Sequence, residues 1–319
     1  MSGRTVAITG AGGFIGSHLV EHLLHRGANV RALVRSGSVV GRTRLDGFLS
    51  APGGRLTIDQ WSIEEPDSLA VLLRECETIF HLAALSSVPH SHARPDAYLR
   101  TNVAGTLTVL RACRTARPAR LVYISSSEVY GPTRYDPVDE RHPLAARSPY
   151  AASKIAAEKL CESFAHTTGP AVVILRLFNV YGPRQSTGAI VPRIVAQALR
   201  ARTVRLRDVD IARDFSYVSD AVLAMTALSR CAVRERCSVV NVGSGVSRTL
   251  GHIVRTVAHV LGVRLWIQGE IPPPMKDRYA DSRGRADRRK LRELVGPLPA
   301  TRFEHGIRNV IQELVEAAS

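Results

Sequence analysis

Val6-Ala-Ile-Thr9 is a short β-branched run that breaks at Gly10 and passes almost at once into the helical pattern Ile15–His25. Glycines at positions 10, 13 and 16 punctuate that junction. A chain that turns so sharply from strand to helix needs residues without a Cβ where backbone meets backbone. Gly10 permits the turn, Gly13 lets the backbone approach a pyrophosphate, and Gly16 lets the helix pack on the strand. The new helix then offers free N–H groups and a positive dipole end to phosphates. Further β-branched runs at Val30–Val34, Leu56–Ile58, Thr78–Leu82, Leu121–Ser125 and Val172–Leu177 alternate with helical patterns at Ser68–Glu75, Tyr98–Arg114 and Tyr150–His166. Such alternation predicts right-handed βαβ crossovers and a doubly wound, parallel α/β sheet. Near Phe178 the alternation gives way to Gly and Pro punctuation. Val239–Val242 then reads as one more strand leading into Gly243-Ser-Gly245, Pro272–Pro274 break the chain, and a final helix spans about Glu304–Ala317.

The 319 residues are 45% hydrophobic and 22% charged, the composition of a chain that buries a sizeable core. No apolar run approaches the ~18 residues of a membrane span, and the start enters a strand without a leader pattern, so a cytoplasmic location is expected. A net charge of +15 would ordinarily point to nucleic acid. Only four of the 43 basic residues are Lys, leaving 39 Arg spread along the whole chain, and that dispersion reads as solvated surface. No nucleic-acid or membrane partner is expected, while an anionic small molecule is compatible with the charge. Five cysteines without a C-x-x-C pair read as reduced, mostly buried thiols. His18, His22 and His25 read as one helix face, and no metal is expected.

Three segments carry chemistry. The second strand ends in Val34-Arg35-Ser36, with Arg35 where an acid would bind the ribose 2′-hydroxyl of NAD, and Arg42 and Arg44 follow. NADP is therefore favoured, with NAD the alternative. Tyr150 and Lys154 lie at i,i+4 on a helix opened by Ser148-Pro149. An ammonium beside the phenol draws its pKa from ~10 towards the working pH, so that it can exchange a hydroxyl proton while hydride moves. Ser126 and Glu128 end the strand before it, and an extended backbone would point both the same way.

Thr9–Gly16, His81-Leu-Ala-Ala84, Asn102-Val-Ala-Gly105-Thr106, Ser125–Gly131, Tyr150–Lys154, Phe178-Asn179-Val-Tyr-Gly-Pro183, Arg213-Asp214-Phe-Ser-Tyr217 and Asn241–Gly245 occur in this order over almost the whole chain. Together they resemble the extended short-chain dehydrogenase/reductases, in the branch of nucleotide-sugar epimerases, dehydratases and ketoreductases. The resemblance implies a Rossmann domain of residues 1–177 plus 215–243 and a smaller sugar-nucleotide domain of residues 178–214 plus 244–319. It implies catalytic roles for Ser126, Glu128, Tyr150 and Lys154, and cofactor contacts from Gly10, Gly13, Phe14, Ile15, Gly16, Arg35, Leu82, Ala83 and Ala84, with Tyr150 and Lys154 shared. Substrate contacts fall on Ser87, Ser126, Asn179, Arg184, Arg213 and Arg278. Val34-Arg35-Ser36 and Ser125–Gly131 are most similar to the NADP-using GDP-mannose dehydratases and GDP-4-keto-6-deoxymannose reductases. Two departures stand out: Ser62 where the family often has an adenine-contacting acid, and Pro272–Arg278 in place of the usual P-G-D-V segment. The expected reaction begins with oxidation of a nucleotide-linked hexose at C4 and favours 4,6-dehydration. The alternatives are 4-epimerisation and NADPH-dependent reduction of a 4-keto sugar. A non-enzymatic dinucleotide sensor typically lacks the Tyr/Lys pair that this chain has. The family usually forms homodimers through helices matching Tyr98–Arg114 and Tyr150–His166, and the same assembly is expected here.

Overall fold

In the computed structural model, residues 1–49, 54–61, 66–167, 169–232, 235–269 and 284–317 are described. Their strands, in chain order, are β1 (Thr5–Thr9), β2 (Asn29–Arg35), β3 (Leu56–Trp61), β4 (Thr78–His81), β5 (Arg120–Ser126), β6 (Ala171–Leu177), β7 (Asn179–Tyr181), β8 (Thr203–Leu206), β9 (Ala212–Tyr217), β10 (Cys237–Val242), β11 (Ser247–Thr249) and β12 (Trp266–Gly269). The helices are α1 (Phe14–His25), α2 (Val39–Asp46), α3 (Pro66–Leu72), α4 (Val88–Ala93), α5 (Pro95–Tyr98), α6 (Gly105–Ala116), α7 (Pro149–Thr167), α8 (Ile190–Ala201), α9 (Val218–Leu228), α10 (Leu250–Leu261), α11 (Arg289–Val295) and α12 (Phe303–Glu316).

Seven strands pair in parallel in the order β10-β6-β5-β4-β1-β2-β3. The central strands β1, β4, β5 and β6 are largely apolar on both faces because helices cover both, while the edge strand β3 is partly exposed. Val6 and Ile8 of β1, Phe80 of β4, Val122 of β5 and Val173 of β6 enter a core with α1 and α9. Their neighbours Ala7, Ile79, Leu121, Tyr123 and Val172 enter the opposite core with α3, α6 and α7. The strand order reverses between β1 and β4, and a doubly wound sheet opens its ligand crevice at that point. The sequence-derived strands and helices of the first 177 residues are all present, with ends moved by a few residues.

The stretch expected as one helix, Tyr98–Arg114, is helical throughout but widens to a π-turn over Leu99–Ala104. Such bulges recur at functional sites. Here the wide turn holds Asn102, whose amide bonds the Leu85 backbone at both its N–H and C=O (2.8 and 3.0 Å) and donates to Ser153 of α7 (2.9 Å). After Phe178, where the sequence offered little periodicity, β11-β9-β7 and β12-β8 form two small sheets. A third core of Tyr181, Val195, Phe215, Ile253, Phe303 and Ile307, among others, lies beneath them.

One ion pair crosses the main sheet's interior. Glu158 of α7 is fully buried and bonds Arg176 of β6 at 2.7 Å, with Arg176 itself 4% exposed. Ser125 donates to the same carboxylate, and Arg176 reaches on to the Tyr130 hydroxyl (3.2 Å) and the Glu140 carbonyl (3.2 Å). Removing one member of such a pair strands a buried charge, at a cost of about 3–5 kcal/mol, whereas replacing both by apolar groups costs far less. Arg176→Met should therefore lose about 3–5 kcal/mol in urea denaturation, and Glu158→Leu/Arg176→Met should recover much of it. A loss under ~1 kcal/mol in the single variant would contradict this reading of the pair.

Candidate functional site

The crevice at the switch point is a cavity of about 480 Å³. The first glycine turn forms one wall, contributing Gly10, Gly13, Phe14, Ile15 and Gly16. Gly10 has φ +71, and a Cβ on it would lie 2.8 Å from the Ala83 nitrogen. A Cβ on Gly16 would collide with the Gly10 carbonyl oxygen. Two glycines thus let β1, the loop after β4 and α1 meet at one place. That contact is bonded through side chains as well. The Ala83 N–H donates to Thr9 Oγ1 (3.2 Å), which lies 2.7 Å from His81 Nδ1, and His81 Nε2 lies 3.0 Å from Thr106 Oγ1. Thr106 donates to the Asn102 carbonyl (2.6 Å), so its oxygen accepts from a His81 protonated at Nε2. Burial holds that imidazole neutral, with its pKa lowered to about 3.

Leu82 and Ala84 line the cavity beside the turn, while Ala83 is turned to Thr9 and Gly10. Ser87 does not reach the cavity: its hydroxyl caps α4 by accepting from His90 N (3.3 Å), and Ser86 and Val88 line the wall instead. Arg184 is likewise drawn elsewhere. Its guanidinium pairs with Glu21 of α1 and lies over the Phe48 ring, and its N–H donates to Glu313. Neither use was legible locally, since Glu21 lies 163 residues away in the chain. Arg278, Ser62 and Pro272–Arg278 fall outside the described residues.

Ser126, Glu128, Tyr150, Lys154 and Asn179 all line the cavity. Ser126 and Glu128 do so for a different reason from strand alternation. The strand ends at Ser126, and a 3-10 turn, Ser127–Tyr130, follows with the Ser126 hydroxyl accepting from Glu128 N at 3.2 Å. Capping rather than pleating brings the two together. Ser148 caps α7 by accepting from Ala151 N (3.1 Å), and its first turns bury Tyr150 and Lys154. The Ser126 hydroxyl acts on the Tyr150 phenol, pulling its pKa down against burial.

The electrostatics differ from the spacing argument. Burial pushes the Tyr150 phenol up to about 12, with the Ser126 hydrogen bond pulling it down and the Glu128 charge pushing it further up. Lys154 does not draw it down in this geometry, because its ammonium donates to the Ile124 carbonyl (2.6 Å) and sits 4.6 Å over the Tyr123 ring. Burial lowers Lys154 itself to about 8, so the ammonium loses its proton within reach of neutral pH. Burial raises the Glu128 carboxyl and Arg213 opposes the rise, while Arg213 is lowered by burial and raised by Glu128. Arg213 and Glu128 thus act on one another. Arg35 is exposed at the end of β2, and Arg44 donates to the Gly12 carbonyl at 3.3 Å, on the glycine turn itself. A phenol, a hydroxyl, an ammonium and a carboxyl on one cavity wall can exchange protons with a bound hydroxyl-bearing ligand. A glycine turn at a helix N-terminus facing the same cavity fits a dinucleotide pyrophosphate.

The reading from sequence missed Asn102 as a clamp and the Glu158–Arg176 pair. The latter left a signal: Arg176 interrupts an otherwise apolar strand, and Glu158 stands one turn beyond Lys154 on α7.

The fold and the ordered motifs define an extended short-chain dehydrogenase/reductase, a class of NAD-dependent enzymes acting on nucleotide sugars. Residues 7–310 match the GDP-mannose 4,6 dehydratase family, and the chain belongs to it. It is 32% identical to the uncharacterized UDP-glucose epimerase YtcB of Bacillus subtilis, over 97% of each chain. It is 30% identical to UDP-glucuronic acid decarboxylase 1 of Xenopus tropicalis, over 97% of this chain and 71% of that one. Among solved structures, MoeE5 in complex with UDP-glucose and NAD superposes with a TM-score of 0.84 at 31% identity, over 99% of this chain and 100% of that one.

Proposed function

We propose that the enzyme oxidises the C4 hydroxyl of a nucleoside-diphosphate hexose and then eliminates water across C5 and C6. The observation that carries this reading is Glu128 on the same cavity wall as Ser126, Tyr150 and Lys154, with its carboxyl pKa raised by burial. A nicotinamide dinucleotide held by the glycine turn would supply the hydride acceptor for C4 and, after elimination, the hydride donor for C6. Tyr150 takes the C4 hydroxyl proton as that hydride leaves, and Ser126 holds the same oxygen. The C4 ketone acidifies C5–H. Glu128 removes that proton and passes it to the C6 hydroxyl, which leaves as water while the C5–C6 double bond forms. A raised carboxyl suits this work, since a base poised nearer the working pH also returns its proton readily. Asn179 and Arg213 hold the substrate's phosphates, with Asn179 steadied by its amide bond to the Asp214 carbonyl (3.3 Å).

A 4-epimerase is the second reading, favoured by the likeness to a relative described as a UDP-glucose epimerase. The two part at C5. Glu128→Gln should still reduce the bound dinucleotide on mixing with substrate yet stall before elimination. Solvent deuterium should enter C5 with the wild type and not with the variant. A product of unchanged mass with only C4 inverted would overturn the dehydratase and leave the epimerase.

NADP is the proposed dinucleotide. Arg35 and Arg44 flank the glycine turn, and the Asp46 carboxylate nearby lies 3.9 Å from Arg42 rather than at the end of β2. A charge-assisted bond to a 2′-phosphate is worth about 1.5–3 kcal/mol, or roughly 10–150-fold. Arg35→Asp should weaken NADP by that factor and leave NAD nearly unchanged in fluorescence titrations. Equal affinity of the wild type for both would contradict the assignment.

A further inference from the structure

A second cavity, of about 120 Å³, lies on the far side of Tyr181 and Phe215, which wall both. It is enclosed by the β9–α9 turn, the Gly243–Arg248 loop and the stretch from Arg288 to Phe303. Three residues that line it carry donors. Ser216 is 4% exposed, and its hydroxyl has no hydrogen-bond partner among the described residues. The Nε of Arg288 is buried and equally unpartnered there, although the same guanidinium donates to the Ser244 carbonyl at 3.2 Å. Arg248 lies 4.7 Å over the Phe303 ring and reaches Ser244 Oγ and the Val246 carbonyl only at 3.5 and 3.4 Å.

The nearby carboxylates are already engaged. Asp220 accepts from Thr301 N (2.9 Å) and Thr301 Oγ1 (2.7 Å). Asp214 is fully buried and accepts from Ser244 N, Ser244 Oγ, Gly245 N and Ala286 N. Burial weighs against the Arg288 charge more than these two acids support it. An unpartnered buried donor costs free energy comparable to a lost hydrogen bond, and a half-buried guanidinium wants an anion. Water supplies acceptors but no charge. The volume is roughly eight times the ~15 Å³ that one water needs.

We propose that this cavity binds a small oxyanion of the phosphate or carboxylate class, held by Ser216, Arg248 and Arg288. Occupation joins three segments that are distant in sequence, and it leaves the proton-exchanging groups of the main cavity untouched. Titration calorimetry of the full chain with inorganic phosphate, and separately with acetate, tests the proposal. Saturable binding that depends on Ser216 and Arg288, separable from any phosphate binding in the main cavity, is expected. Arg288→Gln should weaken it by about tenfold or more and Ser216→Ala by ~3–10-fold. Ser216→Ala removes only an unpartnered hydroxyl, so its fold is secure. Arg213→Gln, beside Glu128 at the other cavity, should leave the affinity unchanged. Tighter binding of phosphate or of acetate names the source, and either supports the site. Absence of saturable binding by both anions, binding indifferent to Ser216→Ala and Arg288→Gln, or binding lost with Arg213→Gln would each overturn it.

Discussion

The Glu158–Arg176 pair is the contact on which the arrangement of the main cavity depends. Glu158 stands on the same face of α7 as Tyr150 and Lys154, so fixing its carboxylate fixes the rotation and depth of that helix. Its second partner, Ser125, is the residue before Ser126, so the end of β5 is tied to the same carboxylate. From Arg176 the network runs to Tyr130 at the close of the 3-10 turn and on to Asn241 of β10 through a 2.6 Å bond. Asn241 in turn bonds Glu140 and Val138 (2.8 and 2.9 Å). The two segments that carry Tyr150, Lys154, Ser126 and Glu128 thus share one buried anchor. A partly satisfied network of this kind would be worse than an apolar core, and here the partners are supplied.

The surrounding electrostatics follow from burial more than from pairing. Tyr150 is driven up, Lys154 down and Glu128 up, each away from its charged form. A phenol pushed that far up stays protonated near neutral pH, and the Lys154 ammonium is the marginal charge beside it. The Arg213–Glu128 interaction is the counterweight, opposing the rise that burial gives the Glu128 carboxyl.

Much of this was legible in the sequence. The strands of the main sheet announce themselves as β-branched runs because both their faces are buried, and the glycine turn because backbone segments collide there. Tyr150 and Lys154 were put on one helix face by the Ser148-Pro149 start and their spacing, and their role was assigned by the family resemblance. Other features depend on partners distant in the chain. Arg184 was expected to contact substrate, and its pairing with Glu21 of α1 depends on a residue far away in the chain. Ser87 reads as a ligand group until the helix it caps is seen. Ser126 and Glu128 line one cavity, but not through strand alternation as expected, since a hydroxyl cap converts the strand end into a 3-10 turn. The segment beyond Phe178 carries helices whose apolar faces serve a core that only tertiary packing defines.

We propose that Tyr150 transfers the proton when the sugar is oxidised and that its hydroxyl, although in reach of the dinucleotide, adds little to dinucleotide affinity. Rapid mixing of a Tyr150→Phe variant with substrate, following the nicotinamide absorbance, tests it most directly. The account predicts a reduction rate lower by ~10²–10⁴-fold, with dinucleotide affinity close to that of the wild type. Turnover near the wild-type rate would contradict it.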